Sequence, residues 1–173
     1  MNSLLRKLRA ATRPLHTELE NVSWGGKIMD GTLTEPEYAK LIDWQRRVHE
    51  SLEHQVMGFS AGDYRYRPRF TLSTPKSEST PDRATAIGIL YVLEGASLGG
   101  SVIYRKLISN PRLTACAPFD FYREQSEWGL AQWRKYLASL DGLHLSEGEI
   151  DRAVEAAVAT FRKFLVEWRA QSV

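Results

Sequence analysis

No stretch of this chain alternates apolar and polar residues over a useful length, whereas apolar residues recur at spacings of three and four along most of it. That pattern fits core-facing helices and excludes half-buried strands, so the fold class read from the sequence is all-α. The first stripe is Leu4, Leu8, Ala11, Leu15, Leu19 and Val22, with Ser3 placed to cap it and Pro14 expected to bend it. Gly25-Gly26 and Asp30-Gly31 mark a break, with a short turn of helix around Lys27 to Asp30. Thr34-Glu35-Pro36-Glu37 is a capping box with proline in the first turn, and it opens a helix through Tyr38, Leu41, Ile42, Gln45, Val48, Leu52 and Val56. Pro81 opens a fourth segment that meets Gly95-Ala96-Ser97-Leu98-Gly99-Gly100, resumes through Val102, Ile103 and Leu107, and stops at Asn110-Pro111. A further helix is expected from about Pro118 to Leu140. The last begins at the capping box Ser146-Glu147-Gly148-Glu149 and runs to the C-terminus.

With 173 residues and no internal repeat, residues 1–173 read as one domain with a core of its own. A net charge of +2 gives no reason to expect a nucleic-acid partner. The one basic cluster with interleaved aromatics, Tyr64-Arg65-Tyr66-Arg67-Pro68-Arg69, reads as solvated loop within a long, mobile surface segment from Phe59 to Thr80. A single cysteine, Cys116, rules out an intramolecular disulfide and fits a reducing compartment. No run of consecutive apolar residues is long enough to span a bilayer, and the basic stretch from Met1 to Arg13 reads as part of the first helix. The expected location is the cytoplasm, with no membrane association.

Two constellations carry chemistry. On the first helix, at about 100° per residue, Arg9, His16 and Glu20 share one face that borders the apolar stripe. An imidazole there can enter an apolar crevice and ligate a metal while a carboxylate orients its other nitrogen, and the arginine can meet an anionic group. An ordinary exposed His–Glu pair gives the same spacing. On the fourth helix, Gly95, Gly99 and Gly100 each cost about 1 kcal/mol relative to alanine, so a missing side chain is needed there. Backbone approach to a flat ligand would require it, and so would close helix packing.

These two segments carry a resemblance. Leu8-Arg9-Ala10-Ala11-Thr12-Arg13-Pro14-Leu15-His16-Thr17-Glu18-Leu19-Glu20 resembles the proximal helix of haem oxygenases, and Leu90-Tyr91-Val92-Leu93-Glu94-Gly95-Ala96-Ser97-Leu98-Gly99-Gly100 resembles the distal helix of their bacterial, biliverdin-producing branch. The resemblance implies a helical bundle that holds haem between a proximal N-terminal helix and a glycine-kinked distal helix. It makes His16 the axial ligand of the haem iron and Glu20 its hydrogen-bonding partner. Arg9 and Arg134 become propionate partners, Phe161 an aromatic wall, and Gly95, Gly99 and Gly100 the catalytic backbone over the haem. In such a protein haem is both cofactor and substrate. The products implied are biliverdin, carbon monoxide and iron, with dioxygen and electrons from a ferredoxin, flavodoxin or reductase. The mild basic balance suits an acidic donor.

One departure concerns proton delivery. Vertebrate-like members carry an aspartate after the first distal glycine, where this chain has Ala96; Val92 and Leu90 occupy neighbouring polar positions of the same network. Ordered water on backbone carbonyls, Ser97, Tyr91 or a residue from another helix would have to serve instead. Three other readings stand beside this one: a protein that binds or stores haem without cleaving it, an interaction module with no ligand, and a non-haem di-iron oxidase using Glu50, Glu53 and His54. The last is disfavoured because such a site needs ligands converging from more than two helices. His49, His54 and His144 read as solvated or capping residues.

Overall fold

Capping chemistry sets where the main helices start. In the computed structural model, which describes residues 3–70 and 82–171, the Thr34 hydroxyl accepts from the Glu37 N–H while the Glu37 carboxylate accepts from the Thr34 N–H. Ser146 and Glu149 repeat that exchange. Asp82 accepts from the N–H of Thr85 at 3.0 Å; Pro81 lies outside the described residues. These caps open α3 (Glu35–Glu53), α7 (Glu147–Ala170) and α4 (Arg83–Leu98) respectively. The remaining helices are α1 (Ser3–Val22), α2 (Gly25–Asp30), α5 (Gly100–Ile108) and α6 (Asp120–Asp141). The fold is all-α, as the spacing indicated.

Several local expectations need correction. Ser3 is already helical rather than a cap, and α1 passes unbroken through Pro14. Helix α3 ends at Glu53 instead of Val56, and turns carry the chain to Gly58, whose φ of +83° favours glycine. The segment expected to be a surface loop begins with a two-stranded antiparallel hairpin, Ser60–Ala61 against Tyr64–Arg65. It is tied down as far as Phe70; its residues 71–80 lie outside the described ones. A 3-10 turn over Pro111–Cys116, capped by Asn110, also escaped the pattern.

Helix α7 is the strut of the bundle, with α1 and α4 packed on it and α6 packed on α4. Ion pairs Lys7–Asp151 and Glu18–Arg169 bracket the α1 contact, so α1 and α7 run in the same direction. Arg83–Glu149 and Asp82–Arg152 start the α4 contact, and one and a half turns further on α4 reaches the backbone of Ala153 and Ala157 at Gly88. A Cβ at Gly88 would lie 2.1 Å from the Ala153 carbonyl oxygen, so only glycine permits this approach. Trp44 joins α3 to the same strut, donating its indole N–H to the Phe164 carbonyl at 2.9 Å.

The stretch Arg83–Ile108, 26 residues across α4 and α5, is long and apolar enough to cross a bilayer by length and composition. The sequence reading, which counted only unbroken apolar runs, overlooked this. Of its most apolar window 56% is buried inside the protein, where Ile87, Leu90 and Leu93 belong to the core.

Candidate functional site

His16 sits in the second half of α1, beyond the buried Leu4, Leu5, Leu8 and Thr12 and between the half-buried Leu15 and Leu19. Its Nε2 lies 3.5 Å from Glu20 Oε1, and the two side chains are 58% and 65% exposed. The expected apolar crevice is therefore an open rim. One side of the imidazole is furnished: its edge meets the ring of Phe161 on α7, with centroids 5.9 Å apart and planes at 89°.

Phe161 is buried, 6% exposed, one turn beyond Ala157. Counting about 100° per residue round α7, it falls between the sector that meets α1 and the sector that meets α4. Val92 lies one turn beyond Gly88 on α4. The shared direction of the three helices thus brings His16, Phe161 and the stretch Val92–Gly95 to one level of the bundle. Arg9, two turns before His16, is exposed on α1. An open groove lined by Lys7, Ala10, Ala11, Asp151, Val154 and Glu155 runs elsewhere on the α1–α7 surface, on the flank of α1 turned away from Arg9 and His16.

The distal glycines divide. A Cβ at Gly95 would make ordinary contact with Trp133 at 3.8 Å, and one at Gly99 would meet only the Ala96 carbonyl of its own helix at 3.6 Å. Packing does not demand glycine at either position. Gly100 differs: its Cβ would lie 2.8 Å from Gln125 Cβ, so close approach of α6 accounts for the missing side chain. Gly129 on α6 does the same, facing the Ser97 carbonyl at 2.6 Å. Gly99 alone separates α4 from α5, its N–H turning back to the Ala96 carbonyl at 3.2 Å. Arg134 is exposed on α6, next to the Trp133 that touches Gly95.

Ala96 is exposed, while Val92 and Leu90 are buried. Ser97 is turned into the protein, where its hydroxyl donates to the Leu93 carbonyl at 3.2 Å and accepts from Arg69 at 3.1 Å. Tyr91 lies against Trp133.

A buried polar cluster beneath α4 went unread in the sequence. Arg69 and Glu94, with side chains 1% and 0% exposed, pair at 3.1 Å between Nη2 and Oε2. That contact lacks hydrogen-bond alignment and is ionic rather than directional. Tyr64, fully buried, donates to the other Glu94 oxygen at 2.6 Å, while Glu53 accepts from the Arg69 N–H at 3.0 Å and from the Tyr66 hydroxyl. The guanidinium also lies over the rings of Trp128 and Tyr66, 4.7 and 5.0 Å from their centroids. Burial works against its charge, but Glu94, Tyr66 and Tyr64 outweigh that and raise its pKa. The Tyr64–Arg69 segment is thus no solvated loop. The signal available was a lone glutamate inside the apolar run Ile87–Leu98, which needs a buried countercharge.

His49 is likewise buried, ringed by Phe70, Phe121 and Phe164, with Nδ1 2.7 Å from the Gln45 carbonyl. Burial first, then the charge on Arg69, hold its pKa down at about 3. It is a core histidine and not the solvated one expected. His54 caps α3 and His144 is exposed. Glu53 is committed to Arg69 and Tyr66, and Glu50 is exposed; among the described residues no group of three or more metal-ligating side chains converges.

Comparison with known proteins decides what this arrangement belongs to. The haem oxygenase family model matches residues 2–71 and 65–169, nearly the whole chain and both glycine- and histidine-bearing segments. No curated protein and no solved structure matches it. Membership of that family implies haem as the ligand. With its helical bundle and a family match running from one end to the other, the chain belongs to the haem oxygenase family.

Proposed function

We propose that the protein cleaves haem oxidatively to biliverdin, releasing carbon monoxide and iron, with dioxygen and electrons from an external donor protein. The observation that carries this reading is the placement of His16: beside Glu20, edge-on to Phe161, and level with the stretch that leads into Gly95. The residues present fit a planar, anionic iron macrocycle. His16 offers an accessible imidazole, Phe161 an apolar wall, Gly95 and Gly99 backbone without side chains, and Arg9 and Arg134 exposed cations for carboxylate groups.

Haem, when bound, supplies the iron that activates dioxygen. The chain's own part is placement. His16 donates a ring nitrogen to the iron, and Glu20 accepts from the other nitrogen, which fixes the tautomer and raises the basicity of the ligating one. Gly95 and Gly99 let helix backbone approach the opposite side. Arg9 and Arg134 set the rotation of the macrocycle by pairing with its propionates, and that rotation selects the bridge carbon to be cut. Protons cannot come from a carboxylate at position 96. Ser97 is occupied by Arg69 and Leu93, so water held on backbone carbonyls near the Gly99 break is the proposed route. An acidic ferredoxin or flavodoxin is the proposed donor and the cytoplasm the proposed location.

The exposed Ala96 favours one second reading, a protein that binds haem without cleaving it. Loading the protein with haemin and adding a reductase–ferredoxin system in air separates the two. Loss of the Soret band with growth of a bilin absorption is the outcome expected of an oxygenase. A Soret band that persists through repeated reduction establishes the binding protein instead.

A further inference from the structure

Burying an arginine and a glutamate is costly, and a hydrophobic pair of similar volume would serve stability as well or better. Their presence here calls for another role. Nη2 of Arg69 reaches three groups within little more than one turn of α4: the Leu93 carbonyl at 3.5 Å, Glu94 Oε2 at 3.1 Å and Ser97 Oγ at 3.1 Å. Leu93 and Ser97 are the two ends of one rung of the helical ladder, and Ser97 also donates to the Leu93 carbonyl, a bond that bends helices. The break at Gly99 follows two residues later. At about 100° per residue, Glu94 and Ser97 occupy the face of α4 roughly opposite Gly95 and Gly99. On the other side, Arg69 is anchored through its own N–H to Glu53 of α3 and by its guanidinium over Trp128 of α6.

We propose that Arg69 and Glu94 are positioning residues: a buried clamp that sets the bend between α4 and α5, and so the height at which the Gly95–Gly99 backbone meets the substrate. Its consequence for specificity rests on the haem-cleaving function proposed above. The geometric part does not. Tyr64, by donating to the second Glu94 oxygen, keeps that carboxylate aimed at the guanidinium.

The test compares the wild type with Arg69→Lys, which keeps the charge but replaces the fork by a point donor unable to serve all three partners. Amide hydrogen exchange is measured on the protein without haem, followed by haemin titration and analysis of the bilin isomers formed on reduction in air. The clamp is expected to show as exchange about tenfold or more faster in peptides covering 92–100, with α7 peptides changed less than about twofold. In the loaded protein it is expected to shift the isomer ratio while haemin affinity stays within about threefold. Exchange that rises equally in α4 and α7, or in neither, overturns the proposal, because a merely structural pair predicts just that. Should Arg69→Lys fail to fold, Glu94→Gln, which keeps the volume, is read by the same criteria. If the wild type makes no bilin, the proposed function fails while the exchange measurement still decides the clamp.

Discussion

A glycine in a helix can serve a ligand or serve packing, and the glycines at 88, 95, 99, 100 and 129 divide on that point. Gly88→Ala drives a methyl group into the Ala153 carbonyl and is expected to cost about 1–3 kcal/mol in urea unfolding, as overpacking does. Gly99→Ala meets no neighbouring element and is expected to leave stability unchanged or raise it by up to about 1 kcal/mol through helix propensity. If the two cost the same, the division is wrong. His49 gives a pH dependence whose sign follows from burial. Its folded pKa of about 3 lies below the ordinary 6.5, so the unfolded chain takes up the proton first. Stability is held above pH 6.5 and lost as the pH falls towards 3, at up to about 1.4 kcal/mol per pH unit. His49→Leu is expected to flatten that slope in unfolding curves taken between pH 4 and 7; an unchanged slope would assign it to other groups. At this scale the sequence was half legible. His16, Glu20 and Arg9 lie on one helix, where spacing alone gives their relation. Arg69 and Glu94 are brought together only by tertiary structure, and nothing in the local pattern of 64–69 distinguishes a buried arginine from a solvated one.

Among the elements, helices that announce themselves by caps were read directly: Thr34 with Glu37 and Ser146 with Glu149 form the reciprocal bonds their spacing promised. The hairpin at 60–65 was missed because strands of two residues leave no alternation to detect. Helix α1 shows the opposite case, a breaker that does not break. Pro14 deprives the ladder of the bond to the Ala10 carbonyl, yet α1 continues to Val22 because Leu8 before it and Leu15 and Leu19 after it pack against the core. Pro14→Ala is expected to restore that bond and stabilise the protein by up to about 3 kcal/mol in thermal or urea unfolding. A loss of stability would mean that the proline fits a bend on which the α1–α7 contact depends.

For the molecule as a whole, the all-helical fold was legible because apolar period fixes element type, and length then limits how such helices can pack. The parallel run of α1, α4 and α7 was not, since it depends on which faces meet. That shared direction is what brings His16, Phe161 and the start of the glycine stretch to one level, and it turns a histidine on an exposed rim into the centre of the account. The direct test is a haemin titration of the wild type and of His16→Ala, followed by the Soret band. A saturable, equimolar complex in the wild type and a shifted Soret band with at least about tenfold weaker binding, or about 1.4 kcal/mol, in His16→Ala are expected. Identical spectra and affinities for the two proteins would contradict ligation through His16.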